Sequence, residues 1–338
     1  MTVAGTDTSM HERAEGSLKF NRSVLLGLGL LIMLCIAGSL FVPGFASFAN
    51  LRSMLLLAAF LGLASLGQTL CALLGGIDMS IPYVIGSANI LLASLFNLRV
   101  PLVLACLVVI LAGALVGTIN GVLSFRVQGQ SLIMTLGVGF AIVGATQILT
   151  SIGSVYAGNV LGKVPAWLRN VSSTAGNTVG LPVPPVIFIW IIVSFVVILM
   201  MNRTRFGRNF YAVGGSRRAA ARLQISERVM WVTAYVASGA AAAATGVLLL
   251  GFSGGGFVGV GDPYLFTTVA AVVIGGTSLL GGWGGYGSTV VGVLVLTVLT
   301  SLLVGLGLSY AMQQAVFGLL IVPMVALYAR SPHFRNQL

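Results

Sequence analysis

Acidic side chains are scarce in this 338-residue chain. There are six, Asp7, Glu12, Glu15, Asp78, Glu227 and Asp262, and the first three lie in a polar N-terminal stretch. The two histidines, His11 and His333, are both near the ends. Groups so few and so placed cannot assemble a Ser-His-Asp set, a paired-carboxylate site or an H-E-x-x-H helix inside the apolar part of the chain. No catalytic residue, cofactor or metal is therefore expected. A proton- or sodium-coupled carrier places carboxylates or histidines within its spans, which argues against that class and against a channel acting alone. The G-x-x-x-x-G-K-[ST] loop is also missing, so any ATP hydrolysis that drives this protein must occur on another polypeptide. Glycine clusters at 254–256 and 281–287 lack the lysine such a loop requires.

Cysteine is equally sparse. Cys35, Cys71 and Cys106 fall inside apolar tracts without metal-type spacing and read as small core residues. What remains is overwhelmingly apolar: 57% of residues are hydrophobic and 7% charged, with a mean hydropathy of +1.06. One water-soluble core cannot bury that much apolar surface. The expected fold is all-α, a polytopic transmembrane helix bundle.

Apolar tracts run at 23–42, 52–74, 81–98, 100–123, 131–151, 182–202, 229–252, 264–281, 286–307 and 309–329, which gives an expectation of ten spans. The first tract is too long for a typical signal peptide and reads as a retained helix. Pro82 and several Gly and Ser positions make 81–98 a candidate for a broken or re-entrant segment. The domain expectation is a tail at 1–22, one transmembrane domain at 23–329 and a tail at 330–338.

The net charge of +11 comes from 17 basic residues set at the edges of these tracts, with no basic–aromatic platform for nucleic acid. With the N-terminus inside, Arg13, Lys19, Arg22, Arg126, seven arginines within 203–228, Arg330 and Arg335 face the cytoplasm, thirteen in all. Arg52, Arg99, Lys163 and Arg169 face outward, four in all. Both termini are therefore expected in the cytoplasm. Two long connections have opposite chemistry. The outer one, 152–181, is irregular with a short helix near 165–170; the inner one, 203–228, carries arginines around Ala219, Ala220 and Ala221, which favour a short helix suited to docking a partner or anionic lipid.

Asp78 stands between two apolar tracts in Leu74-Gly75-Gly76-Ile77-Asp78-Met79-Ser80. A bare carboxylate there would be costly. It either caps the following helix together with Ser80 or belongs to a gate or subunit contact. Uncharged polar residues within tracts, Gln68, Asn120, Thr135, Gln147 and Gln313, together with Thr69, Asn89 and Thr146, could line a solute pathway or merely bond to a neighbouring helix. Phe140, Phe252 and Phe257 could narrow such a route or simply pack.

The segment Gly75–Ser80 resembles the Gly-Gly-Ile-Asp-Leu-Ser motif of permease subunits in the ribose-type branch of bacterial ABC importers. Thr204-Arg205-Phe206-Gly207-Arg208, Tyr211-Ala212-Val213-Gly214-Gly215 and Ala219-Ala220-Ala221 resemble the coupling region of that family, and Val269–Leu279 with Gly275, Gly276, Gly281, Gly282 and Gly284 is a third match. The resemblance implies a transport subunit for a sugar or related polar solute, paired with a second permease subunit, an ATP-binding-cassette ATPase and a periplasmic solute-binding protein. It implies ATPase coupling through Gly207, Arg208, Tyr211, Gly214, Gly215, Ala219, Ala220 and Arg222, and a gate at Gly75, Gly76, Asp78, Ser80, Gly275 and Gly276. The glycines at 207 and 214 are expected to permit tight turns. The chain departs from the family pattern at Pro82, Ser131-Leu132-Ile133, Val143-Gly144 and Leu265, where an acidic residue is usual and Asp262 stands nearby. Permeases for nucleosides or branched-chain amino acids share this architecture and form the nearest alternative.

Overall fold

The computed structural model of the protein describes residues 24–127, 130–152, 158–162 and 164–329, with side chains as far as 319. The tails 1–22 and 330–338, with their basic residues, lie outside the described residues, as does Lys163.

Seven of the described helices are long and apolar enough to cross a membrane: α1 (Val24–Phe41), α2 (Phe48–Leu73), α4 (Leu102–Arg126), α5 (Ser131–Ser151), α7 (Pro185–Arg203), α10 (Glu227–Ser253) and α12 (Tyr286–Gly305). The other expected tracts form the shorter α3 (Ile81–Asn97) and α11 (Tyr264–Ile274), and α13 (Tyr310–Ala329). The outer loop contributes α6 (Ala166–Ser172), and the inner loop contributes α8 (Arg205–Gly215) and α9 (Arg217–Arg222). The short strands β1 (Asn159–Val160) and β2 (Gly256–Phe257) pair antiparallel and tie the outer loop to the segment that follows α10.

The core is a sandwich of α2, α3, α4, α10 and α12. Helix α10 makes its most extensive contact with α4. Gly113, Gly117 and Gly121 recur every four residues along α4 and so share one face. That face meets Gly239 and Tyr235 of α10 so closely that a Cβ on Gly117 would stand 2.1 Å from the Tyr235 carbonyl oxygen. Lipid supplies no hydrophobic drive between helices, so this backbone approach holds the pair by dispersion.

Two helices end early for the same reason. Gly75, at φ +80°, and Gly276, at φ +88°, occupy left-handed positions just past α2 and α11. The Gly76 N–H donates to the Cys71 carbonyl at 2.9 Å, and the Thr277 N–H donates to the Val272 carbonyl at 3.0 Å, so both ends are Schellman caps. The expected span 264–281 therefore stops as a helix at Ile274. At 11 residues α11 covers only about half a bilayer.

Helix α3 also starts within the bundle and is continuous through Pro82, which sits in its first turn where no N–H is required. Asp78, just before it, binds Ser238 of α10, and Gly246 of α10 faces Ile85 and Asn89. Ser238 is 11 residues into the 27 of α10, so α3 begins near mid-length of that helix. The chain then continues outward as an ordinary helix. After β2, a 3-10 turn at Val258–Gly261 runs back down α3: Phe257 N–H donates to Asn89, Val258 lies against Gly86, and Gly261 lies against Pro82. Helix α11 starts from that depth.

Gly117→Leu is expected to wedge α4 from α10 and to cost about 3 kcal/mol. Gly137→Leu, on an α5 position with nothing within 4 Å of the added Cβ, is expected to be neutral. Thermal unfolding of the two variants in detergent checks the contrast.

Candidate coupling and gate junction

The inner loop forms a compact two-helix lever. Thr204, Ser216 and Ser226 each stand one residue before a helix, and their hydroxyls accept from Gly207, Ala219 and Val229 N–H respectively, so α8, α9 and α10 all begin with a side-chain cap. The expected turns at Gly207 and Gly214 do not occur. Both glycines lie inside α8, and both mark close backbone contacts: an added Cβ would stand 1.9 Å from the Met201 carbonyl oxygen at Gly207 and 1.9 Å from that of Leu73 at Gly214. The turns are made instead at Thr204 and Ser216, outside the helices.

Helix α8 has a buried face, Gly207, Phe210 and Val213, set on a small core with Leu73, Met230 and Trp231. Ala220 of α9 joins the same core. Arg208, Gly215, Ala219 and Arg222 are exposed, together with Arg218 and Leu223. Arg217 stacks over Trp231, 5.4 Å from the ring centre, and bridges Glu227 at 3.2 Å, which fixes α9 to the start of α10.

Three sequence motifs, some 200 residues apart at their extremes, meet against this lever. The Gly282 N–H donates to the Leu73 carbonyl at 2.9 Å, joining the end of α2 to the turn before α12. Gly75 packs on Leu280, and Gly281 on Gly214. The Tyr211 hydroxyl donates to the Gly284 carbonyl at 2.9 Å. Burial pushes the pKa of that phenol up, so it remains a donor at neutral pH. Thr277 closes the second turn by bonding to Gly285 and Ser288. Gly75, Gly76, Gly275, Gly276, Tyr211, Gly214 and Gly215 thus form one junction.

Asp78 lies deeper, with its carboxylate fully enclosed. Its Oδ1 accepts from the Ser80 N–H at 2.9 Å and the Ser80 hydroxyl at 2.6 Å, and its Oδ2 accepts from Ser238 at 2.7 Å. Asn120 donates to Ser80 at 2.8 Å. No described basic residue pairs with Asp78, so hydroxyl and amide dipoles alone offset its burial. Asp78 is not the helix cap expected of it: Ser80 holds the N-cap position of α3 and makes no side-chain cap bond, while Asp78 locks the turn before it. The neighbouring backbone is also bonded from side chains, Ile77 N–H to Ser131, Asp78 N–H to Gln68 and Met79 N–H to Thr135.

Among the polar residues singled out from the sequence, Gln68, Asn120 and Thr135 therefore converge on this turn. Gln313 bonds to Leu308 near the start of its own helix, and Gln147 is exposed on α5. Thr69 bonds to Thr289, Asn89 bridges α10 and β2, and Thr146 bonds to Ser87 across a cavity of about 440 Å³ between α3, α4 and α5. Phe252 packs edge-on against Phe60, and Phe140 against Tyr83. Ser238, Ser131 and Tyr235, whose hydroxyl donates to Ile77, complete the turn; Ser131 stood out in the sequence only as a departure from the family pattern, and the other two were not singled out. Ser238 sits in a run of small residues that reads only as helix packing.

The family described as branched-chain amino acid transport system / permease component matches residues 50–325. The chain belongs to this family. A probable ABC transporter permease protein of Escherichia coli K12, YphD, is 38% identical over 301 residues, covering 88% of each chain. The autoinducer 2 import system permease protein LsrD, in Escherichia coli SMS-3-5 and in Shigella flexneri, is 31% identical over 273 residues, covering 81% of this chain and 82% of the relative. No solved structure matches. The chain is thus a multi-pass inner-membrane permease subunit of an ABC importer, and its relatives are transport components.

Ser238→Ala removes the only donor to Asp78 Oδ2 among the described residues and is expected to destabilise the protein by about 2 kcal/mol. Ser94→Ala, which removes a hydroxyl bonded only within its own helix, is expected to change stability little. Unfolding midpoints in detergent separate the two.

Proposed function

We propose that this chain crosses the membrane ten times with both termini in the cytoplasm, and that it pairs with a second permease subunit to import a sugar or related polar solute. The thirteen-to-four asymmetry of basic residues supports the orientation. Helices α3 and α13, and α11 together with the turn at Val258–Gly261 that precedes it, supply the spans beyond the seven long ones. A periplasmic binding protein delivers the solute and a partner ATPase supplies the energy. The relatives support this reading, since LsrD is described as part of an import system. The family description favours branched-chain amino acids as the second reading.

The observation that carries the coupling role is the junction of α8 with the ends of α2 and α11. A partner that grips α8 and α9 acts on the segments that adjoin the Gly75 and Gly276 turns, because Gly214 meets Leu73 and Gly282 and Tyr211 bonds to Gly284. Gating then follows from a small displacement of packed elements. Arg218, Arg222 and Leu223 form the outward surface for the ATPase, while Gly207, Gly214 and Ala220 hold the lever together from within.

Arg218→Glu combined with Arg222→Glu changes the docking surface and leaves the buried face intact. Co-purification with the neighbouring ATPase is expected to fall at least about tenfold, 1.4 kcal/mol of association, while yield and unfolding midpoint stay unchanged. A native chain that is folded yet retains no ATPase would overturn the importer mechanism. Radiolabelled ribose and leucine uptake into vesicles carrying the whole transporter decides between the two solute classes.

A further inference from the structure

Among the described residues, Asp262 is the one acidic residue that neither the coupling lever nor the Asp78 turn employs. It follows the 3-10 turn at the start of α11 and is exposed. Three neighbouring elements set its depth. Gly261 touches Pro82 in the first turn of α3, which begins near mid-length of α10. Tyr83, next along α3, packs its ring on Gly139, eight residues into the 21-residue α5. Helix α11 then needs all 11 of its residues to reach the Gly275 turn. Asp262 therefore lies well inside the membrane, and no described residue hydrogen-bonds or pairs with its carboxylate.

An exposed, unpaired carboxylate at that depth cannot face hydrocarbon, where such groups turn toward a bundle interior or a water-filled cavity. Its neighbours suit a solute better than lipid. Gly261, beside Asp262, touches Pro82, beside Tyr83, and the Tyr83 ring lies 5.2 Å from that of Phe140, which is 56% exposed. An acceptor-only carboxylate, a phenol and an uncovered aromatic face thus sit together where α3 and α11 begin inside the membrane. Irregular backbone at this depth occurs where it is buried or lines an aqueous space.

We propose that Asp262, Tyr83 and Phe140 form a solute-contact station on a water-filled route through the membrane, selective for neutral polyhydroxylated solutes and closed to anions. Asp262 accepts solute hydroxyls, and the rings carry the apolar face of the solute. The station specifies the solute contacts of the permease reading above and rests on it.

The test replaces Cys35, Cys71 and Cys106 with alanine and introduces one cysteine at a time: Asp262→Cys, Phe140→Cys, and the outward-facing controls Leu111→Cys and Ile192→Cys. Native membrane vesicles are treated with cationic and anionic methanethiosulfonate reagents. Positions 262 and 140 are expected to react at least about tenfold faster than the controls, and the cationic reagent is expected to outpace the anionic one at 140 by a similar factor. Adding Asp262→Asn should bring that second ratio near one while leaving the labelling of 140 fast. Slow labelling at 262 and 140, matching the controls, overturns the station. Fast labelling with no charge preference, or a preference that survives Asp262→Asn, overturns the selectivity. Labelling needs neither the ATPase nor transport, so its result stands apart from the co-purification outcome.

Discussion

The constraint that the structure depends on is that backbone leaving a helix inside a membrane must find every hydrogen bond within the protein. The chain breaks this way between α2 and α3. Ser131, Gln68 and Thr135 satisfy three successive N–H groups from other helices, and Ser80, Asn120 and Ser238 bind or support the Asp78 carboxylate. Side chains from α2, α4, α5 and α10 are thereby committed to one turn. Their positions relative to each other follow from it.

Such convergence requires helices closer together than ordinary side chains allow. The glycine face of α4 against α10 provides that approach, and Gly67 of α2 provides another against Ser238. The same residue that binds Asp78 is thus also a point of close approach between α2 and α10. Polar satisfaction and close packing are one arrangement here, and a bulkier residue at either glycine would separate Asp78 from its donor.

The α8 lever extends this logic to the membrane face. It contacts the end of α2 and the turn before α12 through backbone groups and one phenol, with little freedom to slide. On the proposed mechanism, force applied to α8 and α9 reaches the two helix interruptions directly. One interruption precedes α3, which runs outward from mid-depth, and the other follows the half-length α11, which runs inward to the junction. A modest shift at α8 therefore bears on the segments that meet halfway across the bilayer.

Much of this was legible in the sequence. Hydropathy outlined the tracts, since a spanning helix needs a long apolar run, and all of them contain helix. The short helix near 165–170 and the alanine-rich one at Ala219–Ala221 emerged from local composition. The motifs around Gly75, Gly207 and Gly275 identified the family. Legibility ended where a residue type permits several geometries. Gly214 suits a tight turn or a tight contact, and only the Leu73 carbonyl beside it decides for contact. Asp78 could cap α3 or bind elsewhere, and Ser238, distant in sequence, decides. Asp262 is merely polar until Pro82 and Tyr83 set its depth. By itself the sequence determined the solvent, the helices and the family, because those follow from apolar length and local pattern. Only the tertiary structure decided which turns meet and how deep they lie, because each depends on backbone contacts between segments far apart in the chain.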